Sequence, residues 1–126
     1  MEDKMLLYIA DQMKHHIADM DDECPELRID MANLYYLSGM NAVGYSDYAT
    51  SRSYFKVALL LLPTNRWESQ YKLCHRISLR LAKSVYLCGD VEEAQSILHE
   101  MLENCLSIED KVPAQALLVT SEYYQY

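Results

Sequence analysis

His75, His99 and Cys105 are the side chains of this 126-residue chain whose types could hold a metal ion or assemble a nucleophile with its base. Their spacing argues against both. A zinc site on one helix wants ligands three or four residues apart, and a thiol nucleophile wants a histidine within hydrogen-bond reach. Cys74 and His75 are adjacent, His99 and Cys105 are separated by more than a helical turn, and the His-Glu-Met run at 99–101 lacks a second histidine. His15 and His16, also adjacent, would project about 100° apart on a helix and read as solvent-facing. An enzyme built from His75, His99 and Cys105 would therefore depend wholly on tertiary packing, and it ranks third among the readings. The three glycines, Gly39, Gly44 and Gly89, cannot form a phosphate-binding loop, and no G-x-S-x-G elbow is present. The acid runs Asp21-Asp22-Glu23 and Glu92-Glu93 are explained by a loop and by a helix first turn, where negative charge complements the dipole. The expectation is no catalytic residue, no cofactor and no metal.

The polar feature with most content is a basic stripe. Residues 52–83 contain seven cations and one acid, whereas the flanking segments are strongly acidic and the net charge of the chain is −8. Lys72, Arg76, Arg80 and Lys83 recur at i, i+4, i+8 and i+11, so one helix would carry all four on one face. Such a face can clamp a carboxylate or a phosphorylated peptide. The competing reading is a face that is solvated or satisfied by acidic neighbours. Overall acidity makes nucleic acid and anionic membranes poor partners, because both reward Lys and Arg.

These residues need helices to position them, and the composition supplies helices. Three Gly and three Pro are too few for the frequent turns of an all-β fold. Half of the residues are hydrophobic, enough for a continuous core in a chain of one-domain length. No apolar run approaches the ~20 residues of a membrane span, and the acidic N-terminus lacks the positive charge of a signal peptide. A cytoplasmic location is expected, and the four cysteines, without any C-x-x-C pair, read as reduced.

Apolar spacing and end signals predict about six helices. A leading helix spans 3–20. A second starts at Pro25 and ends at Gly39 as a left-handed cap, with 40–46 as a connector or frayed continuation. A third follows Ser46 as N-cap and stops at Pro63. Asn65 and Glu68 suggest a capping box opening one long helix over 66–88, which Gly89 closes. Asp90 starts a fifth, and a trailing helix over 110–125 tolerates Pro113 in its first turn. Tyr35, Tyr48, Tyr71 and Tyr86 fall on apolar stripes and read as core. Tyr123, Tyr124 and Tyr126 read as a stacking face for a further repeat, the mark of a segment of a longer array.

An internal repeat ties these elements together. MANLYYLSG at 31–39 matches LAKSVYLCG at 81–89 with a shift of 50 residues, and each copy is followed by a second helix. Ala32 and Ala82 let helices approach, Gly39 and Gly89 allow reversal, and Ser51 and Ala94 receive a neighbouring knob. Leu81, Ala82, Tyr86, Gly89, Ala94, Leu98 and Met101 fit the tetratricopeptide pattern, which the second copy resembles. In the first copy Met31, Ala32, Tyr36 and Gly39 fit, as do Phe55, Ala58 and Pro63 after a seven-residue insertion. Over nearly the whole chain, the order Ala32-Asn33-Leu34, Gly39, Ala42, Tyr48, Tyr54, Leu61-Leu62, Trp67-Glu68, Tyr71, Leu87-x-Gly89, Ala94 and Asp110-Lys111 is similar to the helical-repeat region of very large signalling proteins. In those proteins a kinase-like domain and a predicted AAA-type (STAND-like) ATPase precede the repeats, and sensor and histidine-kinase domains follow.

The resemblance implies an all-α, antiparallel helix-hairpin stack with a tetratricopeptide-like right-handed superhelix. Its repeat units would lie near 26–63 and 66–107 within one segment, 1–126. The function it implies is a non-catalytic interaction or spacer module of an intracellular signalling protein. Its partner would be a protein, a peptide or flanking domains. The alternative is a free-standing adaptor that binds an acidic or phosphorylated peptide on the basic helix at 66–88.

Overall fold

Pro25, with its fixed φ and missing N–H, suits the first position of a helix, and Glu26 adds an acid to the first turn. A computed structural model describes residues 25–123, and these begin with that helix. The leading helix expected over 3–20, with His15 and His16, lies outside the described residues, as do Cys24, Tyr124 and Tyr126. Among the described residues the fold is all-α: six helices and no strand. They are α1 (Pro25–Gly44), α2 (Tyr48–Leu61), α3 (Arg66–Ser69), α4 (Tyr71–Leu87), α5 (Val91–Asn104) and α6 (Ile108–Tyr123). The chain divides into two compact units, Met1–Thr64 and Asn65–Tyr126.

In the first unit α1 and α2 form an antiparallel hairpin, with Arg28 at the start of α1 donating to the Leu60 carbonyl at the end of α2 (3.2 Å). Gly39 does not cap α1. It lies more than a turn inside a helix that continues to Gly44, and a Cβ placed on it would fall against the Phe55 ring. Its missing side chain lets the fully buried Phe55 of α2 lie on the α1 backbone. The reversal comes at Ser46, a non-glycine residue with φ 57°. The Asp47 N–H reaches the Ala42 carbonyl (2.9 Å) and the Ser46 N–H the Val43 carbonyl (2.9 Å), the paired bonds of a Schellman ending. Ser46 is therefore the left-handed residue rather than the N-cap. Asp47 caps α2: its carboxylate accepts from the Thr50 N–H (3.2 Å) and the Thr50 hydroxyl (2.7 Å). Pro63 forces its predecessor Leu62 into extended backbone (ψ 153°) and stops α2.

In the second unit the single helix expected over 66–88 is broken. Gln70 leaves helical geometry (φ −132°, ψ 46°), dividing α3 from α4. Asn65 makes no side-chain cap bond. Its side-chain and main-chain oxygens instead accept from the Ser69 hydroxyl (3.2 and 3.3 Å). At the end of α4, Gly89 (φ 90°) is a left-handed cap: Gly89 N–H bonds the Tyr86 carbonyl (2.9 Å) and Asp90 N–H the Val85 carbonyl (3.1 Å). The chain then returns antiparallel as α5. Helix α6 begins earlier than expected, capped by the Ser107 hydroxyl, which accepts from the Asp110 N–H (3.1 Å). That start puts Pro113 in the second turn, where it cannot donate to the Glu109 carbonyl.

Packing follows the small residues. Ala32, Ala58, Ala82, Ala94 and Ala114 are fully buried, so helices meet at alanine in both units. Leu98 and Met101 of α5 pack with Ala82 and Ala114, and Leu79, Ile97, Leu117 and Leu118 surround them. Burying Leu98 and Met101 is worth about 1.5–3 kcal/mol each. In the first unit Tyr35 and Tyr54 meet with ring centroids 5.9 Å apart, and Tyr36 meets Phe55 at the same distance. Leu81 and Tyr86 are buried as well, while Pro63 is half-buried. Tyr48 and Tyr71 are only half-buried, at the edges rather than in the core.

Candidate functional site

Helix α4 holds the basic stripe because its other faces are committed. Leu73, Cys74, Ile77, Ser78, Leu81, Ala82, Ser84, Val85 and Tyr86 are buried, leaving one narrow line for solvent. Lys72, Arg76 and Lys83 are exposed on that line and Arg80 is half-buried beside it. Among the described residues no carboxylate pairs with Lys72, Arg80 or Lys83. Arg66 of α3 lies 3.3 Å from Glu100 of α5. That pair is partly exposed and contributes little to stability. Two buried donors beside it, Arg66 Nε and Trp67 Nε1, have no acceptor among the described residues.

The second arrangement gathers two of the three residues that chemistry singles out. Asp110, near the start of α6, is a hub. Its carboxylate accepts from the Tyr71 hydroxyl (2.6 Å), and that oxygen accepts in turn from the Leu106 N–H (2.9 Å). Its main-chain carbonyl lies 2.9 Å from His75 Nε2 and 3.6 Å from Cys105 Sγ. A carbonyl has no proton to give, so His75 carries its hydrogen on Nε2. His75 and Cys105 share an acceptor and do not bond each other. His99 is exposed on α5 and takes no part.

The titration behaviour runs the same way. Burial pushes the Cys105 thiol above its ordinary range, with a smaller opposing effect from the Tyr71 hydrogen bond and a raising contribution from Asp110. An activated thiol needs the opposite shift. Burial likewise raises Cys74, whose sulfur lies 3.9 Å from the Ser78 hydroxyl. Tyr71 is raised first by desolvation and then by its bond to Asp110. Chemically the cluster is a set of hydrogen bonds that ties α4 to the α5–α6 turn. Among the described residues no group of three or more His, Cys, Asp or Glu is arranged to hold a metal ion. The spacing of His75, Cys105 and Asp110 along the chain carried no signal of this convergence, because parallel placement of α4 beside α6 creates it.

In the first unit an open groove of about 300 Å³ lies between the start of α1 and the end of α2, lined by Pro25, Arg28, Leu60, Leu61, Leu62, Pro63 and Thr64. Its one charged group, Arg28, is already bonded to the Leu60 carbonyl. No described helix is long and apolar enough to cross a membrane. Compared with known proteins, the chain matches no family model, no curated protein and no solved structure.

Proposed function

We propose that this chain is a non-catalytic helical-hairpin module that holds or recognises other proteins, of the tetratricopeptide-like kind found in large intracellular signalling proteins. The reading is supported chiefly by the solvent line of α4, where Lys72, Arg76 and Lys83 stand exposed on a helix whose remaining faces are buried. His75 and Cys105 are spent on the Asp110 carbonyl, which leaves them no catalytic geometry and favours the binding reading over the enzyme. A cytoplasmic setting accords with the free cysteines among the described residues, Cys74, Cys88 and Cys105.

The same line favours an acidic or phosphorylated segment as the recognised element, whether it comes from a flanking domain or a separate partner. Ammonium and guanidinium groups one turn apart match carboxylates or phosphates on an extended or helical peptide. Fluorescence anisotropy with a peptide rich in phosphoserine and glutamate tests this. Micromolar binding that weakens with salt is expected, with a loss of roughly tenfold or more in Arg76→Glu/Lys83→Glu. Binding unchanged by that double reversal would sink the recognition surface.

A further inference from the structure

Helix α6 is apolar on two opposite sides, and this unit uses only one of them. Ala114 and Ser121 are buried, with Leu117 and Leu118 packed on the core. On the other side Ile108, Val112, Ala116, Val119 and Tyr123 form a second line at helical spacing, and all five are exposed. Ile108 and Tyr123 are each 79% accessible, and Val112 and Val119 are 54% and 53%. A helix apolar on both sides belongs between two packed layers.

We propose that a second copy of this chain covers that line, with the two α6 helices antiparallel about a two-fold axis. A two-fold interface requires a patch complementary to itself. The line meets the requirement because it is graded symmetrically about a midpoint between Gln115 and Ala116. Antiparallel pairing sets Ile108 against Tyr123 of the second copy and Val112 against its Val119. The small Ala116 lies at the centre, where the two backbones come closest.

The flanking charges agree. A two-fold axis across antiparallel helices brings the same flank of each together. Lys111 and Glu122 share one flank, and the axis brings Lys111 of one copy about two residues' rise, roughly 3 Å, from level with Glu122 of the other. This pairing occurs twice. On the opposite flank Glu109 meets the neutral Thr120, so no like charges are opposed. The line and its flanks make a single helix face, toward the lower edge of stable interfaces in size, so a reversible dimer is expected.

Sedimentation velocity of the full chain across low to high micromolar protein tests the pairing. A reversible monomer–dimer equilibrium is expected. Val112→Glu/Val119→Glu, with an unchanged helical circular-dichroism spectrum, should be monomeric throughout. Lys111→Glu and Glu122→Lys should each weaken association roughly tenfold, and the two together should restore it. A chain that stays monomeric at every concentration would overturn the proposal and assign the line to another partner. A dimer that survives the Val112→Glu/Val119→Glu change, or a charge swap without rescue, would overturn it equally. The inference rests on the interaction-module reading but uses α6 rather than α4. Loss of acidic-peptide binding and loss of dimerisation therefore fail separately.

Discussion

The α1–α2 and α4–α5 hairpins turn by the same pair of hydrogen bonds, yet they assign their residues differently. In α4–α5 the left-handed position is Gly89, where no Cβ pays a steric penalty. In α1–α2 it is Ser46, and the nearest glycine of the matching sequence, Gly39, sits seven residues earlier inside the helix. Seven residues are close to two helical turns, so α1 extends past the repeat match without rotating its buried face away from α2. After the turn the copies realign: Asp47 and Asp90 both precede the returning helix, Ser51 and Ala94 are both fully buried, and so are Phe55 and Leu98. A glycine conserved in position between two copies can thus serve reversal in one and ring packing in the other.

The largest effect separating the two hairpins is expected at Gly39. Gly39→Leu must displace the Phe55 ring and should cost about 3 kcal/mol in urea unfolding, at the upper end for overpacking. A cost below about 0.5 kcal/mol would mean the ring is not seated on Gly39. Gly89→Ala comes next, at about 1–2 kcal/mol, from forcing a Cβ into the left-handed region. Asp47→Ala should cost about 1 kcal/mol by removing the acceptor for the Thr50 N–H. Ser46→Gly has the opposite sign. It should raise stability by several tenths of a kcal/mol, because glycine relieves φ 57° at some cost in unfolded-state entropy. Thermal melts of these two variants sharpen the comparison, since they act on the same turn in opposite directions.

The second hairpin differs also in its polar tie to α6. Tyr71→Phe removes a donor to Asp110 and an acceptor for Leu106 N–H, and should cost about 1–2 kcal/mol. Alkaline pH loosens the same region. Tyr71, Cys74 and Cys105 all have folded values raised above their ordinary ones. Groups so shifted contribute stability that is full below the unfolded-state values and lost as pH rises through the folded ones. Stability should therefore fall from about pH 9 upward. A Tyr71→Phe/Cys105→Ser variant should lose less over that window than the parent, and an equal loss would exclude these groups as the cause.

Much of this fold was legible because apolar spacing reports burial directly. Phe55, Ala58, Leu81, Ala94 and Leu98 are buried where the helical stripes put them, and Ala32 and Ala82 where the repeat match does. Element ends were harder. Gly39 looks like a cap because glycine is the usual left-handed residue, and only the Phe55 ring across the hairpin shows why it is inside a helix. The break at Gln70 is a departure of one residue's backbone from helical geometry, which apolar periodicity cannot register. The basic line of α4 was readable because one helix carries all four cations. The Asp110 hub was not, because its members come from α4, the α5–α6 turn and α6. The outward line of α6 blurred the sequence signal for the opposite reason, since two apolar sides leave little amphipathic contrast.

The claim on which the comparison turns is that Gly39 serves packing while Gly89 serves reversal. Measuring Gly39→Ala in both the parent and a Phe55→Val background tests it directly. With the ring present, alanine should destabilise by about 2 kcal/mol, as added atoms in a packed core do. With the ring removed, the sign should reverse, because alanine favours a helix interior over glycine by about 1 kcal/mol. Gly89→Ala should stay destabilising in both backgrounds. A Gly39→Ala penalty that persists unchanged without the Phe55 ring would contradict the account.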